Sequence, residues 1–287
     1  MYPIVKKCRL HETVTRMEIL APAVAKKAMP GQFVILRIDE DGERIPLTIA
    51  GHDQEAGTVS IIFQKVGATT RRLDALEEGD ALLDLVGPLG KPSDLEGKEG
   101  KKIAVVGGGL GIAIAYPQAK ALHERGADVD VIVGFRSSSL SILTEELKSA
   151  CTHLYVMTDD GSNGHKGLVT GALQERLSAG VHYDEVIAIG PLPMMRGVCD
   201  MTRTYDIPTV VSMNPIMIDG TGMCGGCRLT VAGETRFACV DGPDFDGHLV
   251  DFDEAIIRSR MYRREEAQSM ERHENCGLLK QGGPGHA

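Results

Sequence analysis

Two rhythms of apolar and polar residues divide the chain. Up to about residue 98 the two kinds alternate in short runs. Residues 32–38 and 58–64 are the clearest of these, rich in β-branched and aromatic residues at strand-like spacing. Turn-forming pairs separate the runs, at Pro30-Gly31, Asp41-Gly42, Gly79-Asp80 and Gly87-Pro88. Short strands with regularly placed turns predict a barrel or sandwich. A charged hinge follows at 94–102.

Beyond the hinge the period changes. Residues 102–106 read as a buried strand, 107–111 as a glycine loop, and 113–125 as a helix stopped by Gly126. Further strands are expected at 128–133, 154–157, 185–189 and 209–212, with helices near 140–150, 167–178 and 194–205. Strands alternating with helices predict a parallel sheet with helices on both faces. The segment 219–247 comes after the last of these strands. A charged, helical tail is expected over 253–271, ending in the Gly-Gly-Pro-Gly run at 282–285. The fold class is therefore a β barrel followed by an α/β unit.

Composition narrows the function classes. The chain has 287 residues, enough for two domains with their own cores. A net charge of −9 argues against a nucleic-acid partner, which needs clustered Lys and Arg. The N-terminal stretch lacks the apolar region of a secretory signal. The most apolar run, 103–115, is interrupted by glycines and is too short to span a bilayer. Of the seven cysteines, Cys8, Cys151, Cys199 and Cys276 are scattered singly and acquire no role from the pattern. No disulfide framework is visible, which fits a reducing compartment. A cytoplasmic protein without a membrane partner is expected.

The other three, Cys224, Cys227 and Cys239, carry the strongest chemical signal. They follow Asp219 with spacings of four, two and eleven residues, among several glycines. Glycine lets the backbone turn sharply and approach an inorganic cluster closely. The spacing resembles that of plant-type 2Fe–2S sites, with Asp219 in place of the first cysteine. A carboxylate oxygen can complete four-coordination at iron. Two other readings stay open: a structural zinc site built on the same residues, and Asp219 as a turn cap that binds no metal.

Four further motifs suggest nucleotide binding. Arg44 precedes Pro46-Leu47-Thr48-Ile49; an arginine there either grips a diphosphate or is a solvated charge before a strand, and Thr48 can hydrogen-bond a ring nitrogen. Gly67, Thr69 and Thr70 lie where a helix begins, so they either bind phosphate through backbone N–H groups or form an ordinary cap. Gly108, Gly109, Gly111 and Ile112 follow the first buried strand, as glycines do where a pyrophosphate approaches a helix N-terminus. No acidic residue ends the second strand; Gly134-Phe135-Arg136 stands there instead, so Arg136 faces a nucleotide phosphate, a ribose or solvent. Gly190, Pro191, Met194 and Met195 lie at another C-terminal strand edge, where the methionines line a ligand or pack the following helix. Asp159 sits at a third such edge, suited to ribose hydroxyls or to shaping a turn.

In this order, R-x-P-L-[ST]-I, G-x-x-T, G-G-x-G-I-A, G-P-x-x-M-M and a cysteine-rich cluster loop resemble the ferredoxin–NADP⁺ reductase superfamily over essentially the whole chain. Within it the chain resembles the electron-transfer subunit of dihydroorotate dehydrogenase. It is closer to the small subunits of NADH-dependent reduced ferredoxin:NADP⁺ oxidoreductases, also called sulfide dehydrogenases, in which Asp replaces the first cluster cysteine. The resemblance implies an FAD-binding barrel at 1–98, an NAD-binding α/β domain at 99–215, a 2Fe–2S segment at 216–250 and a helical tail at 251–287. It implies FAD held by Arg44, Gly67, Thr69 and Thr70, with Pro46, Leu47, Thr48 and Ile49 along the isoalloxazine and Thr48 as the residue nearest the chemistry. NAD(H) would lie against the glycine loop, Arg136, Asp159 and the 190–195 turn. The implied partner is a large, glutamate-synthase-like flavin and iron–sulfur subunit forming a heterodimer. Electron bifurcation would connect that complex to ferredoxin and NADP(H). The alternatives are the dihydroorotate system itself and a non-catalytic, zinc-stabilised binding module.

Overall fold

The structure is a computed structural model that describes residues 1–281, with side chains through Glu274. The expected glycine-rich end at 282–285 and the Cys276 side chain lie outside the described residues. The first half comprises β1 (Tyr2–His11), β2 (Val14–Leu20), α1 (Pro22–Ala25), β3 (Phe33–Arg37), β4 (Ile45–Asp53), β5 (Thr58–Gln64), α2 (Ala68–Asp74), β6 (Ala81–Leu82) and β7 (Asp84–Leu89). Its strands form one antiparallel sheet in the order β6-β1-β2-β5-β4-β3-β7. Leu83 joins the two ends of that sheet. Its N–H donates to the Arg37 and Ile38 carbonyls at 3.1 and 3.0 Å, so the sheet curls into a nearly closed barrel. Closure removes the exposed edges that a seven-stranded sheet would otherwise present. Alternate residues, Met17 and Ile19, Val34 and Leu36, Ile61 and Phe63, point inward and are buried.

The second half comprises β8 (Lys102–Gly108), α3 (Ile112–Glu124), β9 (Asp128–Phe135), α4 (Thr144–Lys148), β10 (His153–Thr158), α5 (Val169–Ser178), β11 (Glu185–Ile189), α6 (Leu192–Arg203) and β12 (Thr209–Ser212). The five strands are parallel, in the order β10-β9-β8-β11-β12. Ile103, Ala104, Val105 and Val106 are all fully buried, as a central strand covered on both faces requires. The chain turns from one side of the sheet to the other between β8 and β11. A crevice opens there at the C-terminal edge, the usual ligand position in open α/β sheets.

The remaining elements are β13 (Arg228–Val231), β14 (Glu234–Phe237), α7 (Ala238–Asp241), β15 (Asp244–Asp246), α8 (Phe252–Arg258) and α9 (Arg263–Gln281). The sequence pattern leaves 219–247 outside the sheet, and the structure corrects this. β15 adds to β12 as an antiparallel sixth strand. Three residues between Gly242-Pro243 and Gly247 are too few to show a strand period. The helix expected at 140–150 shrinks to α4, because Leu143 takes a left-handed conformation at φ 56° and starts the helix late. The expected tail helix is two helices, interrupted at 259–262.

At the N-terminal edge of the parallel sheet, away from the crevice, buried Asp130 accepts from Tyr183 OH at 2.7 Å and pairs with Lys102 Nζ at 3.3 Å and His153 Nδ1 at 2.9 Å. Asp128, Asp130 and His153 bring donor atoms within 4.8 Å of one another. Lys102 already sits among them, 2.7 Å from Asp128, and supplies the counter-charge, so the group ties together the starts of three strands. Among the described residues, no helix is long and apolar enough to cross a membrane.

Candidate functional site

The crevice at the sheet edge is a cavity of about 850 Å³. Gly108, Gly109 and Gly111 line it from the β8–α3 turn, Arg136 from the end of β9, and Asp159 from beyond β10. Gly190, Pro191 and Met194 line it from the β11–α6 turn. These two turns interlock, and glycine makes that possible. A Cβ on Gly108 would lie 2.6 Å from Met194 Sδ. A Cβ on Gly111 would lie 2.8 Å from the Ile189 carbonyl carbon and 2.9 Å from Gly190 Cα. Gly109, at φ +55°, meets nothing within 4 Å, so the backbone at the mouth of α3 is open to a ligand. A 13-residue helix aims its positive end there. Open backbone at a helix N-terminus is the cradle a pyrophosphate needs, and the fit holds at this turn.

Ile112 and Met195 differ from their neighbours. Both are fully buried, so the helical period turns their side chains to the sheet, and neither lines the cavity. Sequence reasoning missed the opposite wall. His11, Val14 and Gln64 line the cavity from the barrel, Ser212 from the end of β12 and Asn214 from just beyond it. Burial lowers the His11 pKa. The signal for Asn214 was available, since it follows the last parallel strand at the ligand edge. The barrel residues needed the domain packing, which no local pattern encodes.

The barrel motifs gather at a second place. Arg44 is exposed just before β4, and Pro46, Leu47 and Thr48 are half-buried on that strand, with Ile49 buried. Thr69 Oγ1 donates to Glu43 Oε2, which brings the start of α2 against the residue next to Arg44. The two motifs are therefore neighbours. The Thr69 side chain is buried and spent on Glu43, so what this position offers a phosphate is its backbone N–H. Thr70 Oγ1 accepts from the N–H groups of Gly67 at 3.0 Å and Val66 at 3.1 Å, completing an N-terminal cap. Gly67 has open space above it. If Arg44 grips the FAD diphosphate, Arg44→Ala removes a charge-assisted bond of about 1.5–3 kcal/mol, and FAD affinity is expected to fall by at least about tenfold. Flavin retained through dialysis is the measurement; retention equal to the parent's would remove Arg44 from the diphosphate.

The cysteine loop lies close by. Gly220 takes φ +81°, and its α-carbon is pressed against barrel residues: a Cβ would collide with Ile35 Cδ1 and lie 3.1 Å from Leu89 Cδ1. Ser93, from the stretch after β7, donates to Asp244 of β15. The loop is thus held between barrel and sheet. Cys224 is exposed, while Cys227 and Cys239 are buried. The Gly226 N–H donates to Cys224 Sγ at 3.4 Å and lowers that thiol's pKa. Burial and the neighbouring Cys227 thiol push Cys239 up to about 12.

Asp219 reconciles two of the open readings. Its Oδ2 accepts from the Thr221 hydroxyl, from Thr221 N–H at 3.0 Å and from Met223 N–H at 3.4 Å. These bonds hold the carboxyl below the usual range, with a smaller contribution from the Arg44 charge. One oxygen builds the turn and the other, Oδ1, makes no hydrogen bond among the described residues. The donor set of three thiols and one free carboxylate oxygen, on a loop whose Gly220, Gly222 and Gly225 all have positive φ, fits a small cluster. It fits a single zinc ion less well. No three of the four donor atoms lie within 4.8 Å of one another, whereas one tetrahedral ion with thiolates at about 2.3 Å draws them closer together than that.

Comparison with known proteins agrees with this geometry. Residues 214–251 match the iron–sulfur cluster binding domain of dihydroorotate dehydrogenase B. A Thermotoga maritima homologue of the dihydroorotate dehydrogenase B (NAD⁺) electron transfer subunit is 47% identical, covering 94% of each chain. The Bacillus caldolyticus electron transfer subunit of that enzyme is 34% identical, covering 77% of this chain and 86% of its own. Among solved structures, a chain of an NADH-dependent reduced ferredoxin–NADP oxidoreductase, studied for flavin-based electron bifurcation, superposes with a TM-score of 0.88. It is 44% identical and covers 95% of this chain and 97% of its own.

Proposed function

Because the chain belongs to the family of dihydroorotate dehydrogenase B electron transfer subunits and their homologues, we propose that it exchanges hydride with NAD(H) at FAD and passes single electrons through a 2Fe–2S cluster to a larger partner subunit. The observation that carries this reading is convergence. The Arg44 charge acts on Asp219, and Gly220 next to it packs on the barrel, so the flavin motif and the cluster loop share one corner of the molecule.

In this reading Arg44 and the start of α2 neutralise and hold the FAD diphosphate, and Pro46 to Ile49 border the ring. Thr48 would offer its hydroxyl to a ring nitrogen. Gly108 to Gly111 and the positive end of α3 hold the pyrophosphate of NAD(H), with Pro191 and Met194 as the facing wall. Asp219, Cys224, Cys227 and Cys239 hold the iron. Bound flavin supplies the conversion between two-electron and one-electron chemistry; the residues around it bind, orient and exclude water.

The finer assignment is to the flavin-based electron-bifurcating NADH-dependent ferredoxin–NADP⁺ oxidoreductases. The partner would be the large, glutamate-synthase-like subunit with further iron–sulfur clusters, a second FAD and the NADP(H) site, and ferredoxin would act through the complex. The 44% identity to a chain of such an enzyme, against 34% to the Bacillus caldolyticus dihydroorotate dehydrogenase B subunit, supports this over the dihydroorotate system, as does Asp219 in the first ligand position. Purification of the natural complex tests it. NADH-dependent NADP⁺ reduction that requires reduced ferredoxin is expected. Co-purification with a dihydroorotate-oxidising subunit, and indifference to ferredoxin, would overturn the assignment.

A further inference from the structure

Beside the cluster loop lies a surface whose charge is unusual for this molecule. A cavity of about 320 Å³ starts at Gly226, next to Cys227, and its rim carries Arg228, Arg258, Arg260 and Arg263. Its floor is apolar, with Leu192, Met213, Ile216 and Leu229 among the lining side chains. The whole chain carries a net charge of −9, yet among the described residues none of these four arginines has a carboxylate within 4.0 Å. Glu265 and Glu266 follow Arg263 on α9 without reaching it, and two acids at the start of α8 are engaged elsewhere. Asp251 caps α8 by accepting from Glu254 N–H at 2.9 Å, and Asp253 takes Arg196 at 2.7 Å. Arg258 donates to the Gly226 carbonyl at 3.0 Å, while its Nε is buried without an acceptor.

Met261, in the lining, is exposed, and further exposed apolar residues lie near it in sequence or on the cluster loop. Met223, on the cluster loop, is 87% exposed and Ile257, on α8, is 71% exposed; Met261 and Tyr262 follow on the same segment. Single exposed apolar residues are ordinary, but Met261 stands in the same cavity lining as four guanidinium groups without a carboxylate partner. An apolar centre with Met and Arg around it has the composition of a protein interface. A small phosphate ligand would instead call for donors converging on one point, whereas these arginines stand around an apolar floor.

We propose that this arginine-rimmed face docks a protein partner that presents acidic side chains around an apolar contact, setting that partner against the Cys224 side of the cluster loop. The proposal rests on the reading of the chain as an electron-transfer subunit. Charge of this kind raises the association rate and makes it salt-dependent.

The test uses the natural complex, purified through a tag on this chain. In Arg260→Glu/Arg263→Glu both substituted side chains are exposed, so flavin content and melting temperature should match the parent. Re-association with the separated partner should slow by on the order of tenfold or more at low salt, with the difference shrinking at high salt. Arg260→Lys/Arg263→Lys should retain most of the parental rate. A reversal variant that re-associates like the parent overturns the docking surface and leaves the electron-transfer reading standing, whether or not ADP or inorganic phosphate binds the face. A parent chain that purifies without any partner overturns both.

Discussion

Asp219→Ala is expected to strip the iron–sulfur cluster, and Asp219→Cys to keep it with altered properties. The reason lies in the division of labour between the two carboxylate oxygens. Oδ2 is held by Thr221 and Met223, and Oδ1 is free of hydrogen bonds among the described residues. Alanine removes both the turn and the ligand. The loss in cluster affinity should be at least the 10- to 100-fold or so that follows removal of a residue merely supporting a metal ligand. Cysteine restores a fourth thiolate; ligand identity sets cluster potential, so the potential and the electron paramagnetic resonance spectrum should both shift. Asp219→Asn separates the two roles. Its amide oxygen can still accept from Thr221 and Met223, so the loop and the melting temperature should survive, but a neutral amide is a poor iron ligand. Iron per chain after desalting, together with the spectrum, is the readout. An asparagine variant with parental iron and an unshifted spectrum would show that Asp219 only shapes the turn.

Much of the architecture was legible because its signals are local. Strands β5, β11 and β12 fall at the expected residues. The continuous apolar run of β8 and the glycine turn after it were equally local signals. What stayed hidden depends on contacts distant in sequence. β15 is three residues long and becomes a strand because β12 offers it an edge. His11 and Gln64 reach the cavity only because the barrel packs against α3. The position of Asp219 near Arg44, 175 residues earlier in the chain, is likewise a product of tertiary packing. At the site, glycine spacing pointed to the two turns that line the cavity but could not separate Met194, on the cavity wall, from Met195, in the core. Helix α6 begins at Leu192 rather than at the expected 194, because Pro193 suits a first turn, and that start sets which methionine faces which way. Nucleotide preference is the least legible feature. No acid closes β9, and Arg136 lines the cavity instead.

Gly111→Ala should cost on the order of 100-fold in the rate at which NADH reduces the bound flavin. The atoms in the way are backbone. A Cβ at this position would lie 2.8 Å from the Ile189 carbonyl carbon and 2.9 Å from Gly190 Cα. Neither can swing aside as a side chain would, since Ile189 is locked into β11 and its neighbour opens the turn that carries Pro191. The methyl group must therefore push the start of α3 away from the end of β11. Overpacking of this kind costs about 1–3 kcal/mol of stability, a loss a chain of this size survives. Function should suffer more, because both displaced turns line the same cavity, and a misplacement of about 1 Å costs about 100-fold in rate. Stopped-flow reduction by NADH separates this from general damage. Dithionite needs no nucleotide pocket, so it should reduce flavin and cluster in the variant as completely as in the parent. Gly109→Ala is the internal comparison. Its Cβ would meet nothing within 4 Å, so it should melt nearer the parent than Gly111→Ala does, despite some strain at φ +55°. It places a methyl group where the pyrophosphate would lie, so it should weaken NADH binding without an equal loss of stability. Parental NADH kinetics in both variants would mean that the nucleotide does not use this turn.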